Sequence, residues 1–94
     1  MDIQQADNGK KGKFFVEING KPEAEMTYVY AGKHTIIIDH TALNDALRGE
    51  GVGYKLVEAA VSFARETELK INPLCPFAHA AFKKHAEYQD VLIK

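Results

Sequence analysis

The sequence predicts an α+β domain with element order β-β-β-α-β-α, and three observations carry that prediction. The pair Asn19-Gly20 separates two segments of alternating hydrophobicity, which is the pattern of an antiparallel hairpin closed by a two-residue turn. Ile36, Ile37 and Ile38 follow one another, a β-branched run that suits a strand buried on both faces and therefore central in its sheet. Between that strand and a helical apolar period lies a glycine turn, Arg48-Gly49-Glu50-Gly51-Val52-Gly53.

Taken in order, Met1 to Lys13 is polar and carries Lys10, Lys11 and Lys13. We read it as a partly flexible lead-in that begins an edge strand, with a solvated lysine cluster favoured over a phosphate-binding one. Phe14, Val16 and Ile18 alternate with Phe15 and Glu17 in the first hairpin strand. The second strand runs from about Glu23 to Tyr30, with Ala24, Met26, Tyr28 and Tyr30 on one face. Ala31-Gly32-Lys33 turns the chain into a third strand, His34 to His40. From Val52 the apolar positions Val52, Leu56, Val57, Ala60, Val61 and Ala64 form one helical face, and the helix stops near Leu69-Lys70. Ile71 to Cys75 reads as a short fourth strand, which Pro73 makes an edge, a bulge or a splayed member. Pro76 ends it, and Phe77 to His85 forms a second helix with Phe77, Ala81 and Phe82 turned inward. Tyr88 to Ile93 is a last turn or strand docked on the sheet.

Composition narrows the function. A chain of 94 residues makes one domain (1–94) with a single core,. A net charge of −1 and a pI near 6.4 argue against nucleic acid or an anionic membrane as partner,. One cysteine excludes an intrachain disulfide, and Met1-Asp2-Ile3-Gln4-Gln5 lacks the apolar core of a secretory signal, so a cytoplasmic location is expected.

The glycine turn carries the chemistry. Its three alternate glycines let amide groups crowd toward one point, and the following helix adds unpaired N–H groups and the positive end of its dipole. That is a cradle for a phosphate or pyrophosphate. A dinucleotide fingerprint needs G-x-G-x-x-G within βαβ units, and a Walker loop needs G-x-x-x-x-G-K-[ST]; neither spacing is met.

The turn instead resembles the [QR]-x-x-G-x-[GA] signature of the GNAT acetyltransferase superfamily. The setting strengthens the likeness: His40-Thr41-Ala42-Leu43 before the turn, the strand Ile71 to Cys75 one helix later, and His85-Ala86-Glu87-Tyr88-Gln89-Asp90 at the end. These resemble the short, single-domain GNAT branch. The resemblance implies a GNAT-like mixed sheet and a glycine turn that holds the pyrophosphate of acetyl-CoA through Arg48, Gly49, Gly51, Val52 and Gly53. It also implies that the pantetheine arm lies between two splayed parallel strands, those ending at Leu43 and at Cys75. The backbone at Thr41 and Leu43 would pair with the amides of the arm. Pro73 and Pro76 either keep the fourth strand from closing its ladder or simply terminate it.

The implied reaction is acetyl transfer from a thioester to a primary amine of unknown identity, with coenzyme A as co-substrate. Cys75, where the resemblance places the acetyl sulfur, is an acid toward the departing thiolate, a nucleophile in a covalent relay, or a buried structural thiol. His40 is a base for the amine, histidine being the side chain whose charge changes near neutrality, or a core histidine holding the Asp45 loop. His79 could reach the same site. Cys75 and His79 fall short of a four-ligand zinc set, so no metal is expected. The chain departs from larger GNAT enzymes in two ways. Its last helix carries Phe82 and His85 where a tyrosine acid often stands, with Tyr88 beyond the helix end. Asn19-Gly20 also takes the place of two helices that normally follow the first strand, which leaves an open acceptor side. The acceptor is a small molecule or a protein amine, and the chain a monomer or weak dimer. The alternative is a CoA-binding module without turnover.

Overall fold

The computed structural model describes residues 2–44, 47 and 51–93. Among these residues the elements are β1 (Gln4–Asp7), β2 (Lys11–Ile18), β3 (Lys21–Tyr30), β4 (Thr35–Leu43), α1 (Val52–Thr67), β5 (Lys70–Pro73), α2 (Pro76–Lys84) and a 3-10 helix, Ala86–Val91. The strands lie side by side in chain order, antiparallel from β1 to β4, with β5 parallel to β4. This is the expected mixed sheet with one strand more than the expected β-β-β-α-β-α order, because part of the lead-in forms a separate edge strand, β1, before the hairpin.

Local chemistry sets the turns. Between β1 and β2 the Asn8 side-chain oxygen accepts from the amides of Lys10 and Lys11 at 2.9 Å each, and the Asp7 carboxylate accepts from the Gly9 amide at 2.7 Å. In the β2–β3 hairpin both Asn19 (φ 54°) and Gly20 (φ 80°) are left-handed, the requirement of a type I′ turn. Because β1 precedes this hairpin, the helix-free connection after the first strand is the turn at Asn8-Gly9-Lys10. The expectation placed it at Asn19-Gly20, since Gln4-Gln5-Ala6-Asp7 has no hydrophobic alternation to signal a separate strand upstream.

One face of the sheet holds the core. Phe14 and Val16 of β2, Ala24, Met26 and Tyr28 of β3, Ile36 and Ile38 of β4 and Ile71 of β5 are buried there against Leu56, Val57, Ala60 and Val61 of α1. α2 adds Ala78, Ala81 and Phe82 to the same cluster, whereas Phe77 is only half-buried. On the opposite face Lys13, Phe15, Glu25, Thr27, Val29 and Ile37 stay partly exposed. The burial of β4 on both faces, read from its three isoleucines, is therefore corrected. Ile36 and Ile38 point inward, Ile37 outward, and β4 stands fourth of five rather than at the centre. β-branched residues favour the extended backbone whether or not both faces are covered.

Helix α1 stops at Glu68, which takes the left-handed conformation (φ 60°) while its amide and that of Leu69 return to the Ala64 carbonyl. The amide of Lys70, first in β5, bonds to the His34 carbonyl just before β4 at 2.7 Å, and that of Leu74, just past β5, to the Ile38 carbonyl of β4 at 3.0 Å. Backbone groups alternate along a strand, so those of Ile71 and Pro73 face away from β4. The Ile93 amide meets the Ile71 carbonyl on that outer side at 2.9 Å. Pro73 thus removes no bond between β4 and β5, contrary to the expectation that it holds the ladder open. The tail docks by a bridge from Leu92 to Ile71 and by Arg65, whose guanidinium holds both Asp90 oxygens at 2.8 and 2.9 Å.

Tyr28 fastens β1 to the core. Its fully buried ring packs near Phe14 and Phe63, with centroids 5.4 and 5.9 Å away. Its hydroxyl donates to Asp7 Oδ2 at 2.5 Å and accepts from Gln5 Nε2 at 2.8 Å, and the Tyr30 hydroxyl donates to the same Asp7 oxygen at 2.7 Å. The ring needs Gly12 opposite, where a Cβ would stand 2.5 Å from the ring and 2.7 Å from the Ala6 carbonyl. Burial works to raise the Asp7 pKa, but the hydrogen bonds from Tyr28, Tyr30 and Gly9 outweigh it and leave the carboxyl below its ordinary value. Burial and the Asp7 contact push the Tyr30 hydroxyl up to about 12 and the Tyr28 hydroxyl further.

Two outcomes are expected. Gly12→Ala costs about 1–3 kcal/mol in urea denaturation, because neither the ring nor the carbonyl can retreat freely. A group with a lowered folded pKa stabilises at high pH and loses its contribution as pH falls through that pKa. Asp7→Asn should therefore lower the melting temperature above about pH 5 and match wild type near about pH 2.

Candidate active site

The site begins with a bulge in β4. The β3–β4 register pairs Tyr28 with Ile38 and Thr27 with His40, which leaves Asp39 as an extra residue,. Side chains change faces there. Asp39 and His40 both lie on the open face, while Thr41, paired with Met26, and Leu43, paired with Ala24, return to the helix face. The expectation that His34, Ile36, Ile38 and His40 share one face fails at this residue. His40 is exposed, so it is not a core histidine; Asp45, its supposed partner, lies outside the described residues.

The bulge also changes which backbone groups point where. Past it the Asn44 amide bonds to the Glu23 carbonyl of β3 at 2.8 Å, so even-numbered residues face β3 and the backbone of Thr41 and Leu43 faces the β5 side. β5 has already left. The amides of Leu74 and Cys75 both end on the Ile38 carbonyl at 3.0 Å, and the chain turns into α2. β4 therefore continues to Leu43 beside a gap, with β5 closing at Pro73 rather than at Cys75. The parallel pair is splayed, and Thr41 and Leu43 line the splay.

Cys75 sits at that gap as the N-cap of α2, with Pro76 in the first helical turn,. Its sulfur accepts from the Ala78 amide at 3.4 Å and lies 3.2 Å from Thr41 Oγ1, and the residue is 5% exposed. Thr41 and Cys75 thus meet across the splay, and His40 approaches it from the other face of β4. His79 does not join them. It is exposed and lines a shallow groove with Asn72, Leu74 and Lys83 beside the outer edge of β5.

At the glycine turn, Gly51 is exposed and left-handed (φ 73°), with open space where a Cβ would stand. The first helical bond runs from the Lys55 amide to its carbonyl at 3.1 Å, which leaves the amides of Val52, Gly53 and Tyr54 among the unpaired group of a helix start. Gly53 has a second reason to be glycine. A Cβ there would lie 2.4 Å from the Phe77 ring, so the residue lets α2 approach α1. Arg48 and Gly49 lie outside the described residues. Beside the turn, Tyr54 is 38% exposed, with the Phe77 ring 5.3 Å away and Lys84 Nζ 5.3 Å above its own ring. Sequence reasoning passed over Tyr54 and Lys84; an aromatic on the solvent side of a helix start was the available signal. Tyr88 is buried between Phe82 and His85, and that burial, with Glu58 and Glu87 nearby, raises its hydroxyl pKa.

A five-stranded mixed sheet with a splayed parallel pair and two helices is the fold of the GCN5-like acetyltransferase structures. The sequence matches the GCN5-related N-acetyl-transferase family over residues 13–91, and the chain belongs to that family. It is 35% identical over 77 residues to protein NATD1 of Xenopus tropicalis, covering 81% of this chain and 71% of that protein. The human NATD1 is 32% identical over 77 residues, covering 81% and 68%. A GCN5-like protein from Staphylococcus aureus, known from its solution structure, is 41% identical with a TM-score of 0.78, covering 98% of this chain and 87% of that one. A predicted acetyltransferase from Clostridium acetobutylicum, crystallised with acetyl-CoA, shares the fold alone at 16% identity, with a TM-score of 0.62 and 79% and 55% of the two chains covered.

The contact at Gly53 is testable by itself. Gly53→Ala should lower stability by about 1–3 kcal/mol, and Phe77→Ala in the same background should recover part of the loss in thermal or urea melts, because the two changes act on one contact.

Proposed function

We propose that the protein is an acetyl-CoA-dependent N-acetyltransferase acting on a primary amine. The observation that carries this reading is the splay: a gap beside β4 into which the backbone of Thr41 and Leu43 points, bounded by Cys75. The membership in the GCN5-related N-acetyl-transferase family and the acetyl-CoA held by the Clostridium acetobutylicum protein support it.

In this reading the amides of Thr41 and Leu43 bond the pantetheine arm as a neighbouring strand would. The amides of Val52 and Gly53 hold the pyrophosphate at the positive end of α1, Gly51 supplies the turn, and Arg48 and Gly49 complete it. Acetyl-CoA supplies the activated acyl group. His40 takes a proton from the arriving ammonium, and the neutral nitrogen attacks the carbonyl carbon. The C–S bond breaks, the Cys75 thiol gives its proton to the departing CoA sulfur, and the thiolate so formed takes the surplus proton from the acylated nitrogen, which leaves a neutral amide and restores the thiol. The Ala78 amide and the Thr41 hydroxyl face the Cys75 sulfur, and they would equally support a thiolate that accepts the acetyl group first and passes it to the amine. We place the protein in the cytoplasm as a monomer or weak dimer, without nucleic-acid or membrane partners.

Calorimetry should show CoA binding to wild type and at least about 10-fold weaker binding to Gly51→Glu, which brings a like charge and a strained φ to the turn. With acetyl-CoA and a panel of amines, wild type should release CoA, and Cys75→Ser should lower kcat by roughly 10²-fold. Intact mass of the acetyl-CoA-treated enzyme separates direct transfer from an acetyl-Cys75 relay. Tight CoA binding with no turnover across the panel would leave a CoA-binding module instead.

A further inference from the structure

Resting on the acetyltransferase reading, we propose that the open face of the sheet is the acceptor site, and that the acceptor is a small amine carrying an anionic group. A cleft of about 640 Å³ lies on that face, lined by Ala6, Lys11, Lys13, Thr27, Val29 and Asp39 among others, a size suited to a small ligand.

The strand register orders its charges. Ala6 pairs with Lys13, Lys13 with Thr27, and Thr27 with His40, so these four form one row across β1 to β4 on the open face. At the β4 end the bulge turns both Asp39 and His40 onto this face. The Asp39 carboxylate is fixed there by the Thr27 hydroxyl, which donates to Oδ1 at 2.6 Å. A carboxylate beside an imidazole, next to the splay, suits an incoming ammonium. Two strands away, Lys13 stands with its ammonium 5.0 Å from the centre of the Phe15 ring, and Lys11 follows in the next row opposite Val29. Neighbouring strands are about 4.8 Å apart, so the cationic and anionic ends are separated by roughly 10 Å. Val29, on β3 between them, gives the span an apolar floor, and Ala6 of β1 closes the cleft beyond Lys13. Asp7 also lines the cleft as an anion, but its oxygens are turned to Tyr28, Tyr30 and Gly9, which leaves two lysines against one carboxylate at that end. Glu25 stands in the adjoining row on β3, between Phe15 and Ala42, outside the cleft.

The geometry is that of a receptor for a dipolar chain, ammonium at β4 and carboxylate or phosphate at β2. Three amines with one six-carbon chain test it: 6-aminohexanoate, 1-aminohexane and 1,6-diaminohexane. Chemical-shift titrations in the presence of CoA, and initial rates with acetyl-CoA, should favour 6-aminohexanoate over the other two by about 10-fold or more in Kd and KM. The paired change Lys11→Glu with Lys13→Glu should move the preference to 1,6-diaminohexane while CoA affinity, measured by calorimetry, stays unchanged. A melting curve checks that this surface variant folds; the milder Lys13→Gln should erase the preference without reversing it. Equal affinity for the three amines, or a preference untouched by charge reversal, overturns the proposal. Failure of the acetyltransferase reading has its own signatures, absence of CoA binding or of CoA release across the amine panel, and the amine titration still decides whether the open face binds a dipolar amine.

Discussion

The single residue inserted at Asp39 is the constraint on which the rest of the site depends. Without it β4 would keep one parity from Thr35 to Leu43. Thr41 would then look to the open face, away from Cys75, and the odd-numbered amides would go on bonding to β3. With it, the same strand serves two neighbours in turn. Its first half gives even-numbered backbone groups to β5, and its second half gives odd-numbered ones to the space that β5 has left. A bulge also strengthens local twist, which suits the place where two parallel strands part. The departure of β5 completes the arrangement: two amides end on one carbonyl at Ile38 and a helix begins.

Around this point the fold is a single layer of helices on a sheet. All of the large buried side chains of β2 to β5 face α1 and α2, and the network at Tyr28 ties β1, which has little apolar surface of its own, to that core through hydrogen bonds and a ring. Burying a tyrosine hydroxyl is unfavourable unless it is bonded; here the partners are two side chains of the edge strand. The ordering of residues 4–7 and the filling of the core between β2 and α1 are thus one event. On the other side the short turn at Asn8 leaves the open face uncovered, and that is the surface on which His40 and Asp39 stand.

Much of this was legible in the residues. The Asn19-Gly20 hairpin, the inward face of β3, the apolar stripe of α1 and its start after Gly51 all rest on local rules, in which identity and spacing suffice. What escaped depends on register. A bulge shows only when β3 is laid against β4, so alternation assigned His40 to the wrong face. The direction of the Pro73 backbone depends on which amides of β5 meet β4, so a residue on the outer side was credited with opening the splay. Thr41 and Leu43 were placed beside the gap by resemblance, and their backbone does point there. The side-chain meeting of Thr41 with Cys75, and of Gly53 with Phe77, joins residues far apart in the chain and had no local signal.

Pro73 has a consequence on the side it does face. Beyond Ile71, which the tail occupies, the outer rim of β5 presents a position with no N–H to donate. An incoming strand from another molecule would find its ladder interrupted at the first free rung. At the far rim β1 is only four residues long and polar at three of them. A sheet with one bare face is at risk of growing sideways into fibres, and both rims of this one discourage that growth while the face itself stays open.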